Sequence, residues 1–262
     1  MICKRFCFLA LMQLASVTLF AQNSAQNAAD IVEKSRNRIK AETTQTRSRM
    51  VLTAKNGSVS ERLMDQYSKD DERGNARSVV IFQSPATVAG TRFLTMENSA
   101  RANDLWIFLP GPGRVRRLAA SEGSGSFVGS DLSYDDVSSM SRKTDLDTHR
   151  LLREEKYLNR DCYVIESIPK DSAYQYSKMI LWIDKENFVN QKIELYDKRG
   201  NQVKIFEILE LREVQGRLSP IVSRMSTLAD GTSTTINVEI IRYNEQIPES
   251  VFTTAFLETG RP

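Results

Sequence analysis

The residue types that catalysis most often uses are few in this chain, and their spacing does not match known reaction motifs. Of 262 residues, one is His and three are Cys. His149 is the sole imidazole available as a general base. It stands among Asp147, Thr148 and Arg150 at the edge of an expected strand, where a solvated side chain is the ordinary role. Ser124 and Ser126 lie among Gly123, Gly125 and Gly129. A nucleophile elbow needs Gly-x-Ser-x-Gly, so that a strained turn exposes the hydroxyl, and these offsets do not supply it. A phosphate loop needs a Lys after its glycines, and none follows here. Asp131, Ser133 and Asp135 copy the first three ligand positions of a calcium loop. Asp136 then stands where Gly must turn the chain, and Arg142 where the closing Glu belongs. The reading is no catalytic residue, no metal and no cofactor.

Two further groups carry potential chemistry. Cys3 and Cys7 fall inside an apolar N-terminal run, which leaves Cys162 alone between Asp161 and Tyr163, in an expected strand. A lone thiol there reads as a small buried hydrophobe. Arg114, Arg116 and Arg117 place three guanidinium groups within four residues. Their forks suit phosphate and carboxylate, so they are candidates for contact with anionic groups at a cavity mouth. On a strand, Arg114 and Arg116 share one face and Arg117 takes the other. A solvated strand edge is the competing role.

The elements that would position these residues begin with export. Lys4 and Arg5 precede an apolar stretch from Phe6 to Phe20, and Ala21 offers a small residue for cleavage. That is the pattern of a secretory signal peptide. The run is shorter than the ~20 residues a spanning helix needs, and no later segment reaches that length. Residues 1–21 are therefore expected to be removed and 22–262 to form one domain, with no stable membrane span. Composition agrees: 40% hydrophobic and 26% charged is ordinary for a globular chain. Near-balance of 36 basic and 33 acidic residues argues against a nucleic-acid partner.

After the leader, Ala28, Ile31, Val32 and Ile39 fall at helical spacing, with Asn27 as N-cap. From Thr43 onward the pattern changes to short segments rich in Val, Ile, Thr, Tyr and Phe, separated by turn signals such as Asn56-Gly57, Gly74-Asn75 and Asp230-Gly231. Strands are expected at 47–53, 62–67, 77–83, 92–96 and 104–109, then at 151–157, 161–167, 177–184 and 189–196, and at 203–211, 218–227 and 233–242. A short helix start at Pro248 follows. Short turns imply an antiparallel meander, and about a dozen strands must curl. Leu105 to Leu109 and Met179 to Ile183 are apolar on both faces, so both faces need covering. A closed barrel and a half-barrel with a helical lid both satisfy this. The stretch from Leu109 to Thr148 breaks the strand rhythm, and a long excursion of this kind is functional or disordered. Its Phe127, Leu132 and Tyr134 argue for order, and Asp135 is positioned to cap a short helix beginning at Val137.

That excursion also carries a family resemblance. Leu109-Pro110, Arg114, Arg116 and Arg117 are followed by Ser126-Phe127-Val128-Gly129-Ser130-Asp131 and Ser133-Tyr134-x-Asp136. Together with Phe82-Gln83-Ser84-Pro85 and Gly90-Thr91, this string resembles the outer-membrane lipoprotein-sorting family related to the carrier LolA. The resemblance implies a mainly β fold with flanking helices, a curled antiparallel half-barrel whose apolar concave face lies under a helical lid. It further implies a periplasmic carrier of lipoprotein or lipid acyl chains, working between an inner-membrane donor complex and an outer-membrane receptor. Phe93, Trp106, Phe108, Phe127, Tyr134, Met179 and Leu181 are the candidates to line the cavity and lid. An exported lipid hydrolase using Ser124, Ser126 or His149 is one alternative. A sensory or structural module that binds a protein partner in the same pocket is another. The leader reading predicts a mature chain starting near Gln22 without a lipid anchor, and intact mass of the exported protein checks it. A diacylated N-terminus would overturn it.

Overall fold

The computed structural model describes residues 27–98, 103–139 and 142–262. The expected leader and its cleavage site lie outside the described residues. Residues 27–36 form a helix, α1. It ends before Ile39, which the helical spacing had included.

Two runs of strands follow. The first is β1 (Thr43–Thr53), β2 (Val59–Asp70), β3 (Ala76–Ser84), β4 (Arg92–Met96), β5 (Asp104–Leu109) and β6 (Arg114–Arg117). The second is β7 (Asp147–Tyr157), β8 (Arg160–Pro169), β9 (Lys178–Asp184), β10 (Asn190–Tyr196), β11 (Gln202–Val214), β12 (Arg217–Thr227) and β13 (Thr232–Tyr243). Every expected strand is present, most of them longer than the pattern showed. The added strand is β6, where Pro and Gly in 110–113 had suggested only an irregular excursion.

The strands make one 13-stranded antiparallel sheet, curled but not closed, in the order β6-β5-β4-β3-β2-β1-β13-β12-β11-β10-β9-β8-β7. Each run is a meander, and the runs join where β1 pairs with β13, with Thr44 opposite Tyr243. The two free edges, β6 and β7, are consecutive in the chain. Register shifts between Arg47 and Ser48, Leu63 and Met64, and Leu151 and Arg153 mark bulges that add bend and twist to the strands.

Alternation along the strands builds two apolar layers. The inner layer holds Met50, Met64, Val80, Phe82, Phe93 and Ile107, all nearly inaccessible. The outer layer over β3–β5 is formed by Val79, Leu94 and Phe108 with the C-terminal segment, whose Ile247, Val251, Phe252, Phe256 and Leu257 cover them. That segment contains a 3-10 turn (Glu249–Phe252). At the far end of the inner face, α1 sets Ala28 and Ile31 on Ile165, Leu181 and Ile183.

The C-terminal helix that ends the chain, Thr254–Thr259, is terminated by Gly260 in the left-handed region at φ 67°. Arg92 Nη1 donates to the Leu257 carbonyl at 2.5 Å, a cation at the helix C-terminus. Phe252 is 1% exposed in this layer. Phe252→Ala is expected to cost about 3–5 kcal/mol, the range for deleting a buried aromatic ring. Denaturant unfolding checks it through a lower midpoint at unchanged slope.

Candidate functional site

Because β6 and β7 are the two edges of the sheet, the chain between them must cross from one edge to the other. It does so over the inner face as a strap, whose described residues are 118–139 and 142–146. Within it lie a 3-10 turn at Ala120–Glu122, another at Phe127–Gly129, the helix α2 (Tyr134–Ser138) and a third 3-10 turn at Thr144–Leu146. The helix ending the chain, Thr254–Thr259, is α3. No helix among the described residues is long and apolar enough to cross a membrane.

The middle of the strap folds back on itself. The Phe127 N–H donates to the Leu132 carbonyl at 2.7 Å, and the Asp135 N–H to the Gly123 carbonyl at 2.8 Å. Ser133 caps α2: its side chain accepts from the Asp136 N–H, and the Asp136 carboxylate accepts from the Ser133 N–H. Asp135, the residue expected to cap, instead lies in the first turn. Capping requires a side chain just outside the helix, and the helix starts earlier than the Val137 pattern indicated.

The folded strap delivers apolar side chains onto the inner face. Phe127 is 1% exposed, and Leu132 and Val137 are buried beside it. Its ring lies 5.5 Å from that of Phe82, 5.3 Å from Phe93 and 5.7 Å from Tyr134 between centroids, and Phe93 lies 5.4 Å from Tyr134. Tilted and edge-on rings at these spacings attract beyond their buried area.

Two carboxylates pin the strap. Asp131 accepts from the hydroxyls of Thr227 and Thr234 at 2.6 and 2.7 Å and from that of Thr232, so it ties the strap to β12 and β13. Asp136 accepts from Tyr176 Oη at 2.8 Å and Gln175 Nε2 at 3.1 Å, and pairs with Lys204 Nζ at 3.0 Å. Burial and then Asp136 push the Tyr176 hydroxyl up, and burial pushes Tyr174 up to about 12. Both phenols therefore stay protonated and available as donors. Arg142 stacks on Tyr174 with its guanidinium carbon 4.1 Å from the ring centroid, and bonds Asp147.

Of the candidate lining residues, Phe93, Phe127, Tyr134 and Met179 meet in the inner layer, and Leu181 joins its extension under α1. Trp106 and Phe108 face the opposite way, into the outer layer with the C-terminal segment. On β5 it is Leu105, Ile107 and Leu109 that point inward. Arg114 is exposed, Arg116 bonds Glu122 of the strap at 2.7 Å, and Arg117 bonds Asp104. Sequence reading missed the anchoring roles of Asp131, Asp136, Lys204 and the three threonines. These pairs are separated by up to about a hundred residues along the chain, and no local pattern links them.

His149 is a correction. It is buried, with Nδ1 2.8 Å from Ser167 Oγ and Nε2 2.9 Å from the Thr144 carbonyl. The strap's last turn, through the Thr144 carbonyl, and Ser167 of β8 enclose what had read as a solvated edge. Ser167 is itself 1% exposed, and Ser126 Oγ donates to the Ser130 carbonyl at 2.6 Å. The structure does not join His149 to Ser124 or Ser126, as a base and nucleophile would need.

A protein-family model described as "-like: Uncharacterized protein" matches residues 74–259. A domain from Vibrio parahaemolyticus named for outer membrane lipoprotein sorting is 28% identical, with a TM-score of 0.84 over 89% of this chain and 99% of its own. A DUF1329 family protein from Desulfovibrio piger is 26% identical, with a TM-score of 0.85 over 89% and 99%. A LolA superfamily protein from Nitrosomonas europaea shares the fold at 24% identity, with a TM-score of 0.70 over 87% and 98%. The chain belongs to the family that this model describes, and it shares the fold of the LolA superfamily protein. No curated protein matches the sequence. The residues that carried the LolA-like resemblance, 126–131 and 133–136, are those that fold, pin and fill the strap.

One ionisable group in the strap is set against its ordinary state. Burial, and then the adjacent Asp136, push the Asp135 carboxyl up to about 6 against the pull of Arg142. A carboxyl that holds its proton more tightly when folded than when unfolded lowers stability as pH rises. The cost is absent below the ordinary carboxylate range and complete above about pH 6. Asp135→Asn is therefore expected to raise Tm at about pH 7.5, with the gain shrinking toward zero near about pH 4. Paired melting curves across that range check it, and a gain that is larger at the acid end overturns it.

Proposed function

We propose that the protein is a periplasmic carrier of acyl-bearing molecules, lipoprotein or lipid, that shelters acyl chains on the concave face of the half-barrel beneath the strap. It performs no reaction in this role. It takes its cargo from an inner-membrane donor complex and passes it to an outer-membrane receptor. The observation that carries the reading is that one segment, pinned by side-chain hydrogen bonds at Asp131 and Asp136, supplies the cover of an otherwise open apolar face. The similarity to a domain named for lipoprotein sorting supports it.

Magnitudes make the exchange plausible in both directions. Exposing the strap's Phe127, Leu132, Tyr134 and Val137 costs roughly 1.5–3 kcal/mol each, so roughly 6–12 in all. An acyl chain recovers ~0.8 kcal/mol per buried CH2, about 10 kcal/mol for a dozen methylenes. The two terms nearly cancel, which suits a carrier that must both load and release.

Native mass spectrometry of protein purified from its own compartment is expected to show co-purifying acyl species. Asp131→Ala removes the acceptor of three threonine hydroxyls and is expected to speed uptake of a fluorescent fatty acid several-fold, with the fold intact by circular dichroism. Protein that carries no acyl species and whose probe uptake ignores Asp131→Ala is not a strap-gated carrier. Turnover of ester substrates by the wild type would favour the hydrolase instead.

A further inference from the structure

At one end of the inner face, where the strap meets the tips of β1, β2 and the β12–β13 hairpin, there is an open pocket of about 560 Å³. Its two cations are Arg62 and Lys204. Lys204 is committed to Asp136. Arg62 has no carboxylate partner among the described residues, and its Nη1 is buried without a hydrogen-bond partner. Buried polar atoms are almost always satisfied, so a guanidinium that lines a pocket with no acid partner is short of acceptors. Burial alone holds the Arg62 pKa below its ordinary value, with no acid offsetting it.

The surroundings specify what kind of acceptor fits. Ser60, two residues before Arg62 on β2, lies on the same strand face, and both line the pocket together with Ser124 of the strap. Asp131 also lines it, but its carboxylate is occupied by the three threonine hydroxyls, and Asp230 is exposed at the rim. The deep wall is apolar: Leu52 and Leu132 line the pocket and also belong to the inner hydrophobic layer. The pocket therefore combines one guanidinium without an acid partner and several serine hydroxyls with an apolar wall continuous with the inner layer. Gly129 of the strap has φ +76°, and a Cβ there would stand 3.4 Å from Arg62 Nη2, so the strap passes close to the guanidinium.

We propose that this pocket seats the phosphate head of an anionic amphiphile, with Arg62 as its counter-charge and the tail directed past Leu52 and Leu132 beneath the strap. The proposal rests on the carrier reading and narrows it to cargo with an anionic phosphate next to the acyl chain. An arginine fork matches phosphate oxygens two at a time, and the serine hydroxyls add donors.

Isothermal titration of the mature chain with decyl phosphate, decyl maltoside and inorganic phosphate tests this, on wild type, Arg62→Gln and Arg62→Lys, each first checked for an unchanged melting transition. Arg62→Gln is expected to weaken decyl phosphate about tenfold or more while leaving the uncharged decyl maltoside within about twofold. Arg62→Lys, which keeps charge but loses the fork, should fall between and serves as the comparison if Arg62→Gln does not fold. Decyl maltoside and decyl phosphate binding equally well, and both indifferent to Arg62, would leave the carrier standing and overturn the phosphate seat. Equal weakening of both by Arg62→Gln would also overturn it, by making Arg62 a support for the strap. Wild type binding neither amphiphile would overturn the carrier reading. If inorganic phosphate still bound in an Arg62-dependent way, the seat would stand with free phosphate as its ligand, and if it did not bind, both would fall.

Discussion

An open sheet with an apolar inner face has to be covered, and here the connectivity decides what covers it. The two edges, β6 and β7, are neighbours in sequence, so the link between them crosses the mouth of the curl. Every other strand connection joins neighbours within the sheet. Covering the inner layer and bridging the two edges thus fall to the same strap, which must contain both large apolar groups and enough turn residues to fold. Phe127 and Leu132 meet the first need. Gly123 meets the second, since the Asp135 carboxylate lies over it and a Cβ there, 2.2 Å from Oδ1, would force that carboxylate to move.

The inner and outer layers are held by different forces. On the outside, Phe252, Phe256 and Leu257 interlock with Val79 and Leu94, and Arg92 closes the end of α3. Glu249 of the same segment adds ion pairs to Lys69 and Arg77 at the exposed margin of this layer. On the inside, the strap's apolar side chains are oriented by Asp131 and Asp136, each serving as a hub for several donors. Charged hubs inside a partly buried layer fix geometry strongly while satisfied and become costly when stripped of partners. A cover built in this way has a defined position, with Gln175 on Ser133 and Lys143 on Asn75 adding further ties along the strap. Asp135 beside them adds a group whose charge the closed strap disfavours.

The sequence pattern reached far into the fold. Short segments rich in β-branched and aromatic residues located the strands because such side chains fit a pleated sheet, and turn residues at Gly57, Gly74, Gly200 and Gly231 marked the hairpins through their positive φ. It stopped at β6, where Arg114, Arg116 and Arg117 hide a strand whose only apolar residue is Val115. It also stopped at β5. With five apolar residues in a row, Trp106 and Phe108 are indistinguishable by type from Leu105 and Ile107, and only the position of the C-terminal segment assigns them outward.

What the sequence alone determined is therefore local: strand positions, antiparallel pairing of successive strands, a helix ahead of them, and an ordered excursion rich in Gly, Ser and aromatic residues. Hairpin pairing follows from neighbours along the chain, so local residues suffice to set it. The tertiary structure alone decided that β1 pairs with β13, that the sheet ends on consecutive strands, and that the excursion lies inside the curl. It also brought Asp131 to Thr234 and Asp136 to Lys204, and left Arg62 facing an open pocket. These contacts join residues far apart in the chain, and their existence depends on how much the sheet bends. That bend is the sum of twist and bulges over thirteen strands, a property of the whole sheet that no single segment encodes.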